Sequence, residues 1–217
     1  MDNISNILEF NSDLCFIQIG TNNGGDYFRD LCKKYTPSKV ILIEPCTECN
    51  IEIGHNYEGI NRELINAAVV VDENIKNIKL ISSTGETAHS SILPMKSWAN
   101  NEGKFVPTVT IKNILTKYNI QKVDLLVIDT EGYDCHIVNY IFENNLQDIF
   151  KYIIFENWQF DSKEYNNSTT LIGSTGIETI RKLATNNNLK FCGCNFQLNG
   201  VYSKDIYKHN IDIIIHK

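Results

Sequence analysis

Two short segments place polar side chains directly after apolar runs. In Val123–Asp134 an apolar stretch ends in Asp129 and Glu131, and in Phe16–Gly25 a similar stretch runs into a glycine-containing loop. A strand buried on both faces needs such an apolar run, and open α/β sheets bind ligands at the carboxyl ends of their strands. The ends of these two strands could therefore face one crevice.

The loop after the first apolar run has the pattern Gly20-x-Asn22-x-Gly24. Glycines between a strand and a helix let a ligand approach the backbone, and they direct amide N–H groups at negative charge. A dinucleotide fingerprint has Gly-x-Gly-x-x-Gly, but Asn22 occupies the place of its second glycine. This difference weakens the interpretation as an NAD-dependent oxidoreductase, which stays the first alternative.

Glu44 follows a second apolar run, Lys39–Ile43, and is itself followed by Pro45. A carboxylate at the end of a second strand can accept hydrogen bonds from both hydroxyls of a ribose. Together with the glycine loop, Glu44 indicates a cofactor that contains adenosine.

Four side chains near the expected crevice could act in acid–base chemistry: His89, Asp129, Glu131 and Glu156. If strand periodicity continued, Asp129 and Glu131 would point the same way. Such a pair can bind an ammonium group, raise each other's pKa or hold a divalent ion. His89 lies in a long polar segment and could titrate near neutrality, whereas Glu156 ends another apolar run.

Strands and helices alternate along the chain, which is typical of a mostly parallel sheet covered on both faces. We therefore predict an α/β, doubly wound fold in one domain that spans residues 1–217. The predicted strands are 14–19, 39–43, 63–71, 75–81, 106–110, 123–129, 152–155, 189–194 and 211–216. The predicted helices are 27–35, 47–56, 111–118, 134–143 and 176–187.

Composition excludes several classes of protein. The 217 residues are 42% hydrophobic and 21% charged, as in ordinary globular domains. A net charge of −6 disfavours nucleic acid as a partner, and no apolar stretch approaches the length of a membrane span. Seven cysteines, mostly within apolar patterns, fit reduced thiols and hence a cytoplasmic protein.

The chain resembles the FkbM family of S-adenosylmethionine-dependent methyltransferases. Five segments carry the resemblance in the family's order: QIGTNNG at 18–24, IEP at 43–45, NAAV at 66–69, VTIKNIL at 109–115 and VIDTEG at 127–132. The match extends over about two-thirds of the chain. It implies a Rossmann-like class I methyltransferase fold, with a seven-stranded sheet that contains an antiparallel C-terminal strand.

The resemblance also implies a role for each matching residue toward S-adenosylmethionine. Glu44, with Pro45, would hold the ribose, and Ala67 and Ala68 would flank the adenine. Asp129 would reach the amino group or the substrate. The residues expected to pass under the methionine part are Gln18, Gly20, Thr21, Asn22, Asn23 and Gly24.

Gln18 departs from the family, which typically has an aspartate before the glycine loop. An amide can hydrogen-bond to the cofactor but lacks the charge that attracts an ammonium group, so cofactor binding would depend more strongly on Asp129. This departure motivates a second alternative, a catalytically silent binding module with a methyltransferase fold.

The expected reaction is O-methylation of a hydroxyl on a sugar, glycan or other small metabolite. A general base would remove the hydroxyl proton, and the candidates are the four acid–base side chains named above. A divalent metal held by Asp129, Glu131 and Glu156 is a mechanism of lower rank.

Overall fold

A computed structural model describes residues 13–82, 90–93, 103–158, 171, 173–194 and 209–215. His89, one of the candidate bases, lies outside the described residues. The described strands are β1 (Cys15–Ile19), β2 (Lys39–Ile43), β3 (Arg62–Ile65), β4 (Ala68–Val69), β5 (Asn77–Ser82), β6 (Ser90–Ser91), β7 (Gly103–Val109), β8 (Leu125–Ile128), β9 (Tyr152–Trp158), β10 (Lys190–Cys194) and β11 (His209–Ile215). The α-helices are α1 (Tyr27–Tyr35), α2 (Asn50–Asn56), α3 (Ile111–Lys117), α4 (Asp134–Glu143) and α5 (Gly173–Asn186).

Seven strands form the large sheet, in the order β10-β11-β9-β8-β1-β2-β3. Strands β9, β8, β1, β2 and β3 run parallel to one another, whereas β11 runs antiparallel to its neighbours β9 and β10. This order confirms the predicted Rossmann-like class with its antiparallel C-terminal strand. The direction of strand addition reverses between β1 and β8, which is where open α/β sheets bind their ligands.

Apolar residues on both faces of the large sheet explain why its central strands form. All residues of β1 and β8 are buried, because helices or other strands cover each face. Helix α1 packs Phe28, Leu31 and Cys32 inward, and its N-terminus is capped by Asp26, which accepts from the amides of Phe28 and Arg29.

The predicted strand 63–71 is wrong as a single element. The backbone turns between Ile65 and Ala67, whose amide donates to the Ile65 carbonyl at 3.1 Å. Strand β3 stays in the large sheet, whereas β4 pairs with β7 in a second, small sheet of order β4-β7-β5-β6. An apolar run alone does not show which sheet each half joins.

The cysteines whose side chains the structure describes lie in the interior as buried thiols: Cys15, Cys32, Cys46, Cys49 and Cys135. Among the helices of the described ranges, none is both long and apolar enough to cross a bilayer.

Candidate active site

A crevice of about 650 Å³, open to solvent, lies at the carboxyl ends of β1, β2 and β8. Its floor is made by the glycine loop after β1, the end of β2 and the start of β4. The loop at 129–133, which we call the acidic loop, closes one end. Leu80, Ser90 and Ile92 of the small sheet and its β6 loop form the opposite wall.

The glycine loop is fixed to the end of β2 by hydrogen bonds. The amides of Gly20 and Thr21 donate to the Ile43 carbonyl at 2.9 and 3.2 Å, and the amide of Asn22 donates to Glu44 Oε2 at 2.7 Å. Gly20 and Asn22 line the crevice, with φ angles of 81° and 49°. The loop therefore presents backbone, rather than bulky side chains, to a ligand.

The other residues expected to contact the methionine part do not line the crevice. Gln18 is 1% exposed, and the Thr21 hydroxyl donates to the Ile43 carbonyl at 3.5 Å. The carbonyl of Asn23 accepts from Asn56, and Gly24 packs under the Tyr57 ring. These residues support the loop from behind, and their cofactor contacts stay a prediction.

Glu44 is 5% exposed and lies in the crevice wall. Its Oε2 accepts from Asn22 and its Oε1 accepts from the Cys46 amide, both at 2.7 Å. Burial raises the pKa of Glu44, although the two backbone amides favour its ionised form. The Cys46 thiol also bonds to this carboxylate. A carboxylate has about four lone-pair sites, so it can still accept from a hydroxyl and suits a ribose. Pro45 lies beside it, and Ala67 and Ala68 add apolar surface.

Asp129 and Glu131 both line the crevice, but the expected strand periodicity does not explain why they do. Strand β8 ends at Ile128, and Glu131 has a left-handed backbone with a φ of 55°. The expectation of alternating strand geometry is therefore wrong, and a turn in the acidic loop brings the two carboxyls together. Thr130 and Tyr133 of the same loop also line the crevice.

Four carboxyls converge at the acidic end of the crevice: those of Asp129, Glu131, Asp134 and Glu156. The desolvating surroundings raise the pKa of Asp129 well above its usual value, and the charges of Glu156, Glu131 and Asp134 raise it further. The side chain is nevertheless accessible to solvent from the crevice. Burial and the charges of Glu156 and Asp134 raise the pKa of Glu131 to about 9.

The side chains of Asp129 and Glu156 contact each other at the acidic end of the crevice. The register of β8 with β9 explains the contact, because Ile128 pairs with Phe155 and each strand continues into an acid. This contact is one of the causes that raise the pKa of Asp129.

Several residues of this site were missed by sequence reasoning. Tyr27, the first residue of α1, lies near Asp129 and Glu156: burial and the charges of Asp26, Asp129 and Glu156 raise the pKa of its hydroxyl. Asp134 supports the acidic loop, and its position at the start of a helix is a signal that could have identified it. The wall formed by the small sheet has no such signal, because it depends on tertiary packing.

The described residues fit a cationic adenosine-containing cofactor. Glu44 offers acceptors for ribose hydroxyls, the acidic end offers negative charge, and neither Lys nor Arg occurs among the described residues that line the crevice. No group of three or more His, Cys, Asp or Glu side chains within the described ranges has a geometry that could hold a metal ion.

Comparison with known proteins is consistent with this geometry. Residues 18–187, most of the chain, match the family described as the methyltransferase FkbM domain. A comparison with curated proteins finds no match.

Two solved structures have a similar fold. A Listeria monocytogenes protein assigned as an S-adenosylmethionine-dependent methyltransferase aligns with a TM-score of 0.54 and 6% identity, covering 100% of this chain and 97% of that one. Trm5b from Pyrococcus abyssi aligns with a TM-score of 0.51 and 11% identity, covering 100% of this chain and 48% of that one. At these identities the likeness concerns the fold.

Proposed function

The chain belongs to the FkbM methyltransferase family, and from that premise we propose that it methylates a hydroxyl group on a neutral sugar, glycan or other small metabolite. As a member of this family it is an S-adenosylmethionine-dependent methyltransferase. When bound, S-adenosylmethionine would supply a methyl group on a sulfonium, whose carbon–sulfur bond breaks as the acceptor oxygen bonds to the methyl carbon and the neutral thioether leaves. The residues of the chain must then hold the acceptor in line and accept its proton.

The contact of Asp129 with Glu156 is the observation that supports a hydroxyl acceptor, because it helps to raise the pKa of Asp129. A carboxylate of ordinary pKa is a weak base for a hydroxyl group, whereas one whose pKa is raised toward the working pH accepts a proton more readily. Burial and like charge raise the pKa of Asp129 in this way. Asp129 also lines the crevice, so it can contact an acceptor there.

The charge of the crevice supports a neutral acceptor over an anionic one. Asp129, Glu131 and Glu44 line it, and the described lining has no Lys or Arg to receive a phosphate. A sugar phosphate, a nucleotide sugar or a nucleic acid would find no cationic partner among these residues, so the cost of desolvating its phosphate would not be repaid. Free sugars and uncharged glycans should therefore be better acceptors than their phosphorylated forms.

The experiment is a screen for transfer of an isotopically labelled methyl group. It pairs each free sugar or glycan with its phosphorylated form, so that only the charge differs. We expect transfer to neutral hydroxyl acceptors, and a loss of at least about 100-fold in Asp129→Asn because the base is removed. Asp124→Asn is the matched control, since Asp124 is a buried carboxylate beside the opposite end of β8.

Transfer to amines alone, with none to hydroxyls, would refute the proposed acceptor. Cofactor binding without any transfer would instead favour the silent binding module that Gln18 suggested. One observation disfavours that alternative: Asp26 accepts a hydrogen bond from the Gln18 amide, so an acidic side chain still lies behind the glycine loop.

A further inference from the structure

Asp134 is the first residue of α4, yet its carboxylate is bonded to the acidic loop and to β9. It is 1% exposed. Its Oδ2 accepts from the Thr130 hydroxyl at 2.7 Å, and from the amides of Thr130 and Gly132, both at 3.3 Å. Its Oδ1 accepts from the Glu156 amide at 3.3 Å. One buried side chain thus joins the two backbone segments that carry the crevice acids.

The conformation of the acidic loop explains why such a link is needed. Glu131 has a φ of 55° and Gly132 a φ of 106°, and a left-handed backbone is unfavourable for a residue with a side chain. Asp134 binds the amides on both sides of Glu131, so its hydrogen bonds oppose relaxation of that residue.

We propose that Asp134 is a positioning residue for the methyl-transfer reaction: by binding the backbone at Thr130, Gly132 and Glu156, it sets the arrangement of the crevice carboxyls. The effect of Asp134 on methyl transfer rests on the proposed function, in which the crevice carboxyls act as the base. The arrangement itself requires no particular acceptor.

Asp134 also acts on the crevice acids through its charge. Its negative charge raises the pKa of both Asp129 and Glu131. Burial and the charge of Glu156 raise the pKa of Asp134 itself to about 7, and hydrogen bonds from Thr130 oppose that rise. The titratable groups that face it are Asp129 and Glu131 from the acidic loop and Glu156 from β9.

The test is the pH dependence of S-adenosylmethionine binding, measured by calorimetry from pH 6 to 9.5, in the wild type and in Asp134→Asn. A cationic ligand binds more tightly as the carboxyls ionise, so wild-type affinity should increase across this range. Asp134→Asn removes a negative neighbour of Asp129 and Glu131. The pH at which binding affinity is half-way through its increase should therefore move down by about one unit. Its methyl-transfer rate should fall about 10-fold or more, as for other residues that orient a reacting group.

Asp124→Asn is the matched control for a structural effect. Asp124 is 2% exposed, accepts from the Cys15 amide at 3.1 Å and pairs with Lys122 at 2.7 Å, away from the crevice. Asp124→Asn should lower the free energy of unfolding without shifting the pH midpoint of S-adenosylmethionine binding. If Asp134→Asn does not fold, Thr130→Val removes the shortest of the Asp134 hydrogen bonds and should shift the midpoint the same way by less.

The proposal would be overturned if Asp134→Asn and Thr130→Val left the pH midpoint of S-adenosylmethionine binding unchanged and only lost stability, as Asp124→Asn does. A wild-type affinity that does not vary with pH would also overturn it. If the midpoint shifts but no hydroxyl acceptor is methylated, the proposed function fails while the role of Asp134 stands.

Discussion

The carbonyl oxygen of Asp129 lies 1.7 Å from the point that a Cβ atom on Gly20 would occupy. The loop after β1 and the acidic loop after β8 therefore meet backbone to backbone, and glycine is required at their contact. Gly20 also has a φ of 81°, which other residues rarely adopt.

Gly20→Ala should lower the free energy of unfolding by roughly 2–4 kcal/mol, because both the clash and the backbone strain involve atoms that cannot rotate away. Urea denaturation measures the change. Gly54→Ala is the control. Gly54 lies inside α2, and a Cβ added there would meet no atom of another part of the protein within 4 Å. This change should be neutral or stabilising by up to about 1 kcal/mol. Equal effects at the two positions would contradict the described contact.

Glu44→Gln should weaken binding of S-adenosylmethionine by about 10- to 100-fold. The new amide group would face a backbone N–H of Asn22 or Cys46, and the negative charge that attracts ribose hydroxyls would be lost. Calorimetry measures the affinity. Glu48→Gln is a matched control, since Glu48 lies four residues on, is exposed and pairs with Lys104. Unchanged affinity in Glu44→Gln would show that the carboxylate does not hold the cofactor.

The methyl-transfer activity should rise with pH between about pH 7 and 9. The pKa of Asp129 is raised and that of Glu131 is about 9, so the basic forms accumulate as pH increases through this window. Because kcat/KM reports the free enzyme, its midpoint should lie above that of kcat, since bound positive charge favours ionised carboxyls. A flat profile over pH 6–9.5 would exclude these carboxyls as the base.

Glu131→Gln should stabilise the protein at alkaline pH while reducing transfer. Glu131 has an ordinary pKa of 4.5 and a folded pKa of about 9, so between these values folding takes up a proton and wild-type stability falls as pH rises. Glu131→Gln has no carboxyl to titrate and so does not lose this stability. The difference in free energy of unfolding between variant and wild type should be more favourable to the variant at pH 9 than at pH 5, by at least about 1 kcal/mol. Thermal unfolding at both pH values measures it, with the exposed Glu143→Gln as the control that should show no such difference.

Gln18→Glu should destabilise the protein by roughly 2–4 kcal/mol, because it places a second buried carboxyl against Asp26. The Gln18 amide donates to Asp26 at 2.5 Å and its oxygen accepts from the Tyr57 hydroxyl at 3.2 Å. Adding Asp26→Asn lets the new amide at position 26 donate to the new carboxylate at position 18. This second change should restore most of the lost free energy of unfolding. A double-mutant cycle by chemical denaturation measures the coupling, and additive effects would show that the two side chains do not interact.

Local sequence patterns predicted the elements that carry the site well. Helix α4 occupies the predicted 134–143, and α1 occupies the predicted 27–35. Their apolar residues recur at helical spacing and their ends have clear signals, so local information is sufficient. Glu44 and Asp129 likewise lie at the ends of strands whose apolar runs are unambiguous.

Other features depended on contacts between distant segments. The division of residues 63–71 between two sheets is accompanied by a hydrogen bond from the Asn66 side chain to the Glu44 carbonyl at 2.9 Å, which no local pattern shows. The left-handed backbone at Glu131 similarly accompanies its support by Asp134. Periodicity cannot predict a conformation that a buried side chain imposes across a turn.

The two walls of the crevice belong to different hydrogen-bonded sheets. Leu80 and Ser90 belong to the small sheet, whereas Ile19 and Ile43 end strands of the large one, and no described strand is shared between the sheets. Side chains on β5 and β6 can therefore be exchanged without altering the register that holds Glu44 and Asp129 at their strand ends, whereas β4 of the same sheet carries Ala68 on the expected adenine side. This makes β5 and β6 the natural place to begin re-engineering the crevice toward new ligands.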